Sequence, residues 1–307
     1  MIQVFIDYLD SDVSYLLGLL IARGELLATE NVYRIVAHFP KGSLIAQGER
    51  AKFDTDKEIR LGIEKIRERI NELFGSEIRT VDSGDSWDLV VRMTRNTMAW
   101  RNISMLLNNK TSFPFFRIPD VFFNADTPLE YKKELIKGFA DVAGNIRPSN
   151  VDQAGRHRVR LDILNYKTNW QLPVQLCILL QNHLNVSVPV ITWGHPNLNR
   201  NWREHQLNIY AEDFLDIGFY FDFKQAALRD LADINLNRFG NRIKGCPGAR
   251  RPGIRKKRDL GEKNAERLPD ELVNKHFNAY WQICRALGCP RRPKPRAQLD
   301  LIAEEQQ

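Results

Sequence analysis

Cationic side chains are the chemistry this sequence offers in greatest density. Asn241 to Gln298 holds 16 Lys and Arg against 5 Asp and Glu, a balance of +11 that leaves the rest of the chain at −4 within an overall +7. Charge gathered in this way points to a polyanion, most often nucleic acid; a solvated tail is the alternative. The densest run, Gly245-Cys246-Pro247-Gly248 through Arg255-Lys256-Lys257-Arg258, is too rich in Gly, Pro and charge for a core element. Alone in solution it is expected to be disordered, and on DNA it could track phosphates or enter a minor groove. Cys246, His276, Cys284 and Cys289 could together hold one structural zinc. His276 and Cys284 are eight apart on an expected helix opening at Leu268-Pro269-Asp270-Glu271, and Cys246 and Cys289 sit in Gly-Cys-Pro turns. No C-x₂-C pair exists, however, and the long gap after Cys246 is unlike common zinc modules. Cys284 as a buried helix residue and His276 as a partly exposed one remain the alternative.

Other chemistries are thinly represented. There is no phosphate loop, no Gly-x-Ser-x-Gly elbow and no His-Glu-x-x-His. His183, His195 and His205 form no metal or triad spacing and are expected on loops or at the surface. Cys177, between Leu176 and Ile178-Leu179, reads as core. Four cysteines in 307 residues are too few for a disulfide scaffold, so a reducing, cytoplasmic setting is the default, or an organelle for an intron-encoded protein. No apolar run reaches the ~18 residues of a membrane span. Met1 to Asp7 lacks the basic region of a secretory signal.

The elements that position these groups are legible in outline. Ser14 to Leu27 is apolar on nearly all sides, as in a helix buried all round or packed on a twin. Leu135 to Arg147 echoes it: Gly18 and Gly24 match Gly138 and Gly144, six apart in each copy. Gly24 is expected as a left-handed helix terminator. The two helices are expected to pack on each other about a pseudo-twofold axis. Val32 to Phe39 reads as a strand, Pro40-Lys41-Gly42-Ser43 as a turn, and Leu44 to Gly48 as the returning strand. Ile59, Ile63, Ile66, Ile70 and Leu73 line one face of a helix from Asp56 to Phe74. A hairpin (Glu77 to Val81, Trp87 to Met93) and a helix (Asn96 to Leu107) complete the first half. Ser112 to Phe123, aromatic and proline-rich, is a packed connection. The second half then alternates strictly over His157 to Ile163. It continues with a helix from Leu172 to Leu184, a hairpin from Val186 to Trp193 and Glu204 to Tyr210, and a closing helix from Ala211 to Arg229.

This order of elements resembles the LAGLIDADG homing endonucleases and maturases in their single-chain, two-repeat form. Leu16 to Gly24 overlies the nine-residue motif without gaps, and Lys137 to Gly144 most of a second copy. Arg117-Ile118-Pro119-Asp120 with Leu129 to Gly138 is similar to the family's approach to its second motif. Asn208-Ile209-Tyr210-Ala211 with Phe214, Ile217-Gly218-Phe219 and Lys224 is similar to its terminal segment. The resemblance spans about Ser11 to Asp230. It implies an α+β fold of two αββαββα repeats whose sheets form a saddle for the DNA major groove, with the motif helices packed backbone to backbone.

The resemblance breaks at the catalytic positions. It implies an acidic metal ligand just before the last Gly of each motif, for metal-assisted phosphodiester hydrolysis. Those positions here are Arg23 and Ala143. In one reading the scaffold has lost cleavage and kept recognition, with Arg23 on a phosphate. In the other, Glu25 and Asp141 are relocated Mg²⁺ ligands, two residues after and two before the usual position; metal sites tolerate little such displacement. Glu25 as a solvent-facing strand residue and Asp141 as a capping carboxylate are the plainer alternatives.

The combined expectation is a monomeric, sequence-specific binder of double-stranded DNA that no longer cleaves. Residues 1–111 and 112–230 are the two repeats, and 231–307 a basic extension. An active Mg²⁺-dependent homing- or restriction-type endonuclease is the first alternative, and an RNA-binding maturase-like protein the second. Besides Arg23 and the basic run Arg255 to Arg258, the expected contacts are Arg34, His38, Gln47, Arg79, Arg92, Arg158, Arg160, Thr192, Asn199, Arg200 and Arg203. They are chosen by strand alternation, so a one-residue slip in register would remove about half of them.

Overall fold

The structure, a computed structural model, describes residues 8–30, 32–50, 55–93, 96–164, 171–197, 202–240 and 253–255. Two long helices form its centre. α1 (Ser11–Arg23) starts where the Asp10 side chain accepts the Val13 amide at 2.7 Å, and every residue from Val13 to Arg23 is buried. This is the sequence pattern realised: a helix apolar on all sides has all sides covered. Its partner α5 (Leu129–Ala143) is one unbroken helix after Pro128, whose fixed φ suits a helix entry.

The two helices touch through backbone. A Cβ on Gly18 would lie 2.1 Å from the Leu135 carbonyl oxygen and 2.7 Å from the Phe139 nitrogen. A Cβ on Gly138 would lie 2.1 Å from the Tyr15 carbonyl oxygen and 3.2 Å from the Leu19 nitrogen. No side chain fits at either position. The terminal glycines differ from expectation. Gly24 (φ −122°) and Gly144 (φ −82°) are extended, not left-handed. Each helix passes directly into a strand, β1 (Gly24–Ala28) or β5 (Gly144–Val151). Close packing explains the glycine: a Cβ on Gly24 would lie 2.5 Å from the Leu20 Cα, and one on Gly144 would lie 2.4 Å from the Ala140 carbonyl oxygen.

On one side of the helix pair is an antiparallel sheet of order β1-β2-β4-β3, with β2 (Tyr33–Pro40), β3 (Ile78–Asp82) and β4 (Ser86–Met93). The other sheet has order β5-β6-β8-β7-β9, with β6 (His157–Leu164), β7 (Val190–Asn197), β8 (Trp202–Tyr210) and β9 (Gly253–Arg255). The first four strands of each sheet therefore run in the same order. Ile35, Ala37 and Phe39 of the first sheet and Val159, Leu161 and Ile163 of the second are buried in the core face.

Four elements differ from the sequence reading. Leu44 to Gly48 is no strand: α2 (Lys41–Leu44) is a single helical turn, and an irregular segment follows. The strand paired with β2 is β1, hidden in the sequence because its Leu26-Leu27 continues the apolar run of α1. β5 was concealed in the same way behind α5. The closing helix is split into α7 (Ala211–Phe214) and α8 (Asp222–Phe239), because Gly218 turns the chain at φ +68°. Finally, Gly253–Arg255 of the basic run is paired, in parallel with Val190, Ile191 and Thr192. An edge strand's free backbone groups accept such an addition whatever the side chains.

The rest follows expectation. α3 (Thr55–Phe74) buries Ile59, Ile63, Ile66 and Ile70, α4 (Met98–Leu106) packs below it in sequence, and α6 (Gln171–Ile178) ends in a π-helical turn, Leu179–His183. In the connection, Phe116, Ile118 and Phe122 are buried. Polar ties join the halves: Arg69 of α3 reaches Glu134 of α5 at 2.9 Å and Asp12 at 2.7 Å, and Arg50 binds Asp230 at 2.6 Å. Among the described residues no helix is long and apolar enough to cross a membrane.

Candidate nucleic-acid interface

Strand alternation decides which side chains leave the core. In the first sheet the even-numbered residues of β2 and β4 point outward, and two of them are paired arginines. Arg34 stands directly opposite Arg92, both exposed and without an ion-pair partner among the described residues. Like charges directly across a ladder cost stability, so this pair is a place for an anion. Arg79 on β3 is also exposed and bonds Glu77 at 2.8 Å. His38 belongs to the same face. Its Nδ1 lies 2.9 Å from Asp88 Oδ1, and its Nε2 lies 3.8 Å from Glu25 Oε2. Asp88 also accepts Ser83 Oγ at 2.6 Å and Ser86 Oγ at 2.7 Å. Burial pushes Asp88 up, but the bonds from Ser83, Ser86 and His38 outweigh it and hold the carboxyl below its ordinary pKa.

The second sheet presents a different outward face. Asn145, Asp162, Glu204, Gln206 and Asn208 are all buried polar residues there. Arg160 Nε pairs with Asp162 at 2.9 Å, and Arg158 bonds the Val151 carbonyl. Burial and then the neighbouring Glu204 push Asp162 up to about 7, against the pull of Arg160 and Arg23. This face is acidic where the first is basic.

At the end of the helix pair, Arg23 is buried. Its Nη1 donates to the Ala22 carbonyl at 2.6 Å and its Nη2 to the Asp162 carbonyl at 3.4 Å, and the guanidinium lies 5.6 Å from the Phe113 ring centre. Arg23 thus links the first helix to the second sheet. Ala143 is buried and offers no donor or acceptor from its side chain. Asp141 faces the interior with no solvent exposure. Its carboxylate accepts Tyr15 Oη at 2.7 Å and the backbone amides of Tyr220 (3.1 Å) and Phe221 (3.4 Å). Lys224, equally buried, donates to the carbonyls of Asp141 at 2.7 Å and Gly144 at 2.9 Å, capping the end of α5. Burial raises Asp141 and lowers Lys224, and each draws the other back toward its charged form. Glu25 is half-exposed on β1. Glu25 and Asp141 accordingly occupy different environments, one on the sheet face and one in the core.

The remaining expected contacts are dispersed. Gln47 is exposed, but on the irregular segment rather than a strand; its amide bonds the Ile146 carbonyl at 3.1 Å. Thr192 and Arg203 lie on β7 and β8, and Arg255 on β9. Asn199, Arg200, Lys256, Lys257, Arg258, Cys246, His276, Cys284 and Cys289 lie outside the described residues. His205 contradicts the surface expectation: it is fully buried on the core side of β8. His183 is half-buried, with Nδ1 3.3 Å from Lys132 Nζ; burial and then Lys132 lower its pKa. Cys177 is core, as read. Asp88 and Glu204 were missed as partners of the outward faces. Their signal was there, since each has the parity of its strand's outward residues. Among the described residues no three His, Cys, Asp or Glu side chains are placed to hold one metal ion.

No family model matches the chain, and no curated protein matches it. Several solved structures are similar. The homing endonuclease I-DmoI, in a complex with DNA and Ca, is 19% identical over 71% of this chain and 97% of its own, with a TM-score of 0.44. Full-length DUF199/WhiA from Thermatoga maritima is 13% identical over 77% of this chain and 66% of its own, with a TM-score of 0.42. The N-terminal LAGLIDADG domain of DUF199/WhiA is 12% identical over 67% of this chain and 78% of its own, with a TM-score of 0.37.

Proposed function

We propose that this protein binds double-stranded DNA sequence-specifically through a LAGLIDADG-like saddle and does not cleave it through metals at the motif ends. Residues 1–111 and 112–230 are the two halves of the saddle, and 231–307 a basic extension that tracks phosphates. The protein acts as a monomer, since one chain supplies both sheets. The observation that carries the reading is the outward face of the first sheet, where Arg34 stands against Arg92 beside Arg79 and His38. Arginines on alternate positions of an antiparallel ribbon suit the major groove, where a guanidinium reaches guanine or phosphate. Loss of cleavage is supported by Arg23 and Ala143 in place of carboxylates, and by Asp141, whose oxygens are taken by Tyr15 and two amides. An acidic ligand that donors already surround in the core is not available to Mg²⁺.

Selection from a random-duplex pool, in Mg²⁺ and in EDTA, tests this. The expected outcome is enrichment of one duplex family in both conditions, steep loss of affinity with salt, and no cut product. Specific cleavage abolished by Glu25→Ala would establish the nuclease alternative, which the half-exposed Glu25 keeps open. Preference for structured RNA over every duplex would overturn DNA as the partner.

A further inference from the structure

The Glu25–His38–Asp88 array on the first sheet is the one cluster of metal-ligating side chains that the reading above does not use. Its three members come from three neighbouring strands. Asp88 is fixed by two serine hydroxyls and bonds His38 Nδ1 at 2.9 Å. A carboxylate on Nδ1 takes the N–H of the imidazole there and turns the Nε2 lone pair outward. That lone pair faces Glu25 Oε2 at 3.8 Å. Two acceptors aimed at one another repel unless a cation stands between them.

We propose that Glu25 and His38 bind one divalent transition-metal ion, with Asp88 as the carboxylate that orients the imidazole. Metal–nitrogen and metal–oxygen bonds of roughly 2.0–2.2 Å at a tetrahedral angle put the two ligand atoms about 3.4 Å apart. The observed 3.8 Å is close to that span, and both side chains are partly open, His38 at 27% and Glu25 at 36% exposure. Two protein ligands leave the other coordination positions to water or to a phosphate oxygen. Imidazole with one carboxylate favours Mn²⁺, Zn²⁺ or Co²⁺ over Mg²⁺, which prefers oxygen. The second sheet lacks this set. By strand register Glu25, His38 and Asp88 correspond to Asn145, Asp162 and Gln206, so the site belongs to one half only. The proposal does not rest on DNA binding and is tested without nucleic acid.

The test uses the full chain and Mn²⁺, which has little affinity for the cysteine thiols of the C-terminal segment. Titration followed by electron spin-echo spectroscopy should show bound Mn²⁺ with a nitrogen coupling from one imidazole. Uniform ¹⁵N-histidine labelling should change that coupling in the unmutated protein, so this result needs no variant to fold. His38→Gln should abolish the coupling, and His183→Gln should leave it intact. Glu25→Gln and Asp88→Asn should each weaken Mn²⁺ binding by roughly 10- to 100-fold. Mn²⁺ bound without nitrogen coupling, or bound equally by His38→Gln, would overturn the proposal. So would a histidine NMR spectrum in which His38 stays doubly protonated at pH 7.5 with Mn²⁺ present, since the array would then be an ion pair.

Discussion

Adding one methyl group at Gly18 tests the contact on which the whole arrangement depends. On helix propensity alone Gly18→Ala should stabilise by about 1 kcal/mol. The structure predicts the opposite sign. The new Cβ would lie 2.1 Å from the Leu135 carbonyl oxygen, about 1 Å nearer than real Cβ atoms come. The obstacle is backbone on a buried helix, so no rotamer change relieves it, and α1 and α5 must separate by about that distance. A gap of that size forfeits a quarter to a half of each dispersion contact across the seam. Overpacking of a tight core costs about 1–3 kcal/mol before that loss. After subtracting the propensity gain, we expect a net loss of roughly 2–4 kcal/mol, a fall in Tm of about 5–15 °C for a domain of this size. Gly138→Ala should behave alike, because its Cβ meets the Tyr15 carbonyl at the same 2.1 Å. Once one alanine has parted the helices the second has room, so the double variant should lose at least ~1 kcal/mol less than the sum. Urea denaturation of the four proteins measures all of this. A Gly18→Ala variant as stable as the parent, or strictly additive losses, would refute the backbone-to-backbone pairing.

Further outcomes follow from the buried charges and the outward faces. Lys224→Met removes the cap of α5 and the cation beside Asp141, and should cost roughly 3–5 kcal/mol in denaturation; adding Asp141→Asn should restore part of it. Asp162 titrates at about 7 when folded against 3.8 as a free side chain, so the folded state binds the extra proton. Its contribution to stability is full below about pH 4 and is lost as pH rises through 7. Asp162→Asn should therefore flatten that decline and be roughly 1–3 kcal/mol more stable than the parent at pH 8, with little difference at pH 4; an unchanged pH profile would contradict the burial described. Arg23→Met should move the Asp162 titration higher still, as followed by carboxyl NMR, because Arg23 now pulls it down. Arg34→Ala and Arg92→Ala should each weaken duplex binding and reduce the slope of log affinity against log salt by about 1 if they meet phosphate. Arg34→Ala with an unaltered slope and affinity would remove the first sheet from the interface.

What the sequence made legible was periodic, and what it hid was long-range. Ile59, Ile63, Ile66 and Ile70 announced their helix, and Val159, Leu161 and Ile163 their strand, because one core face imposes one period on neighbouring residues. β1 and β5 stayed hidden because each begins at the last residue of a buried helix, where Leu26 and Ile146 must be apolar whichever structure they adopt. Their glycines were legible as breaks but not in kind. A glycine needed for φ > 0 and one needed because Leu20 or Ala140 leaves no room look the same in a chain. The site shows the same division. Arg34, Arg92 and Arg79 were found by parity, since the residues that face away from a core are local information. Asp141 was not assignable, because the donors that claim it, Tyr15, Tyr220 and Phe221, come from 126 residues before it and about 80 after it. His38 read as one more outward residue. Its bond to Asp88, 50 positions away, and its approach to Glu25 exist only through the pairing of β2 with β4 and β1. Register therefore decides the chemistry. A slip of one residue in β2 would turn His38 into the core and Phe39 onto the face, removing the cation site and the arginine pair together.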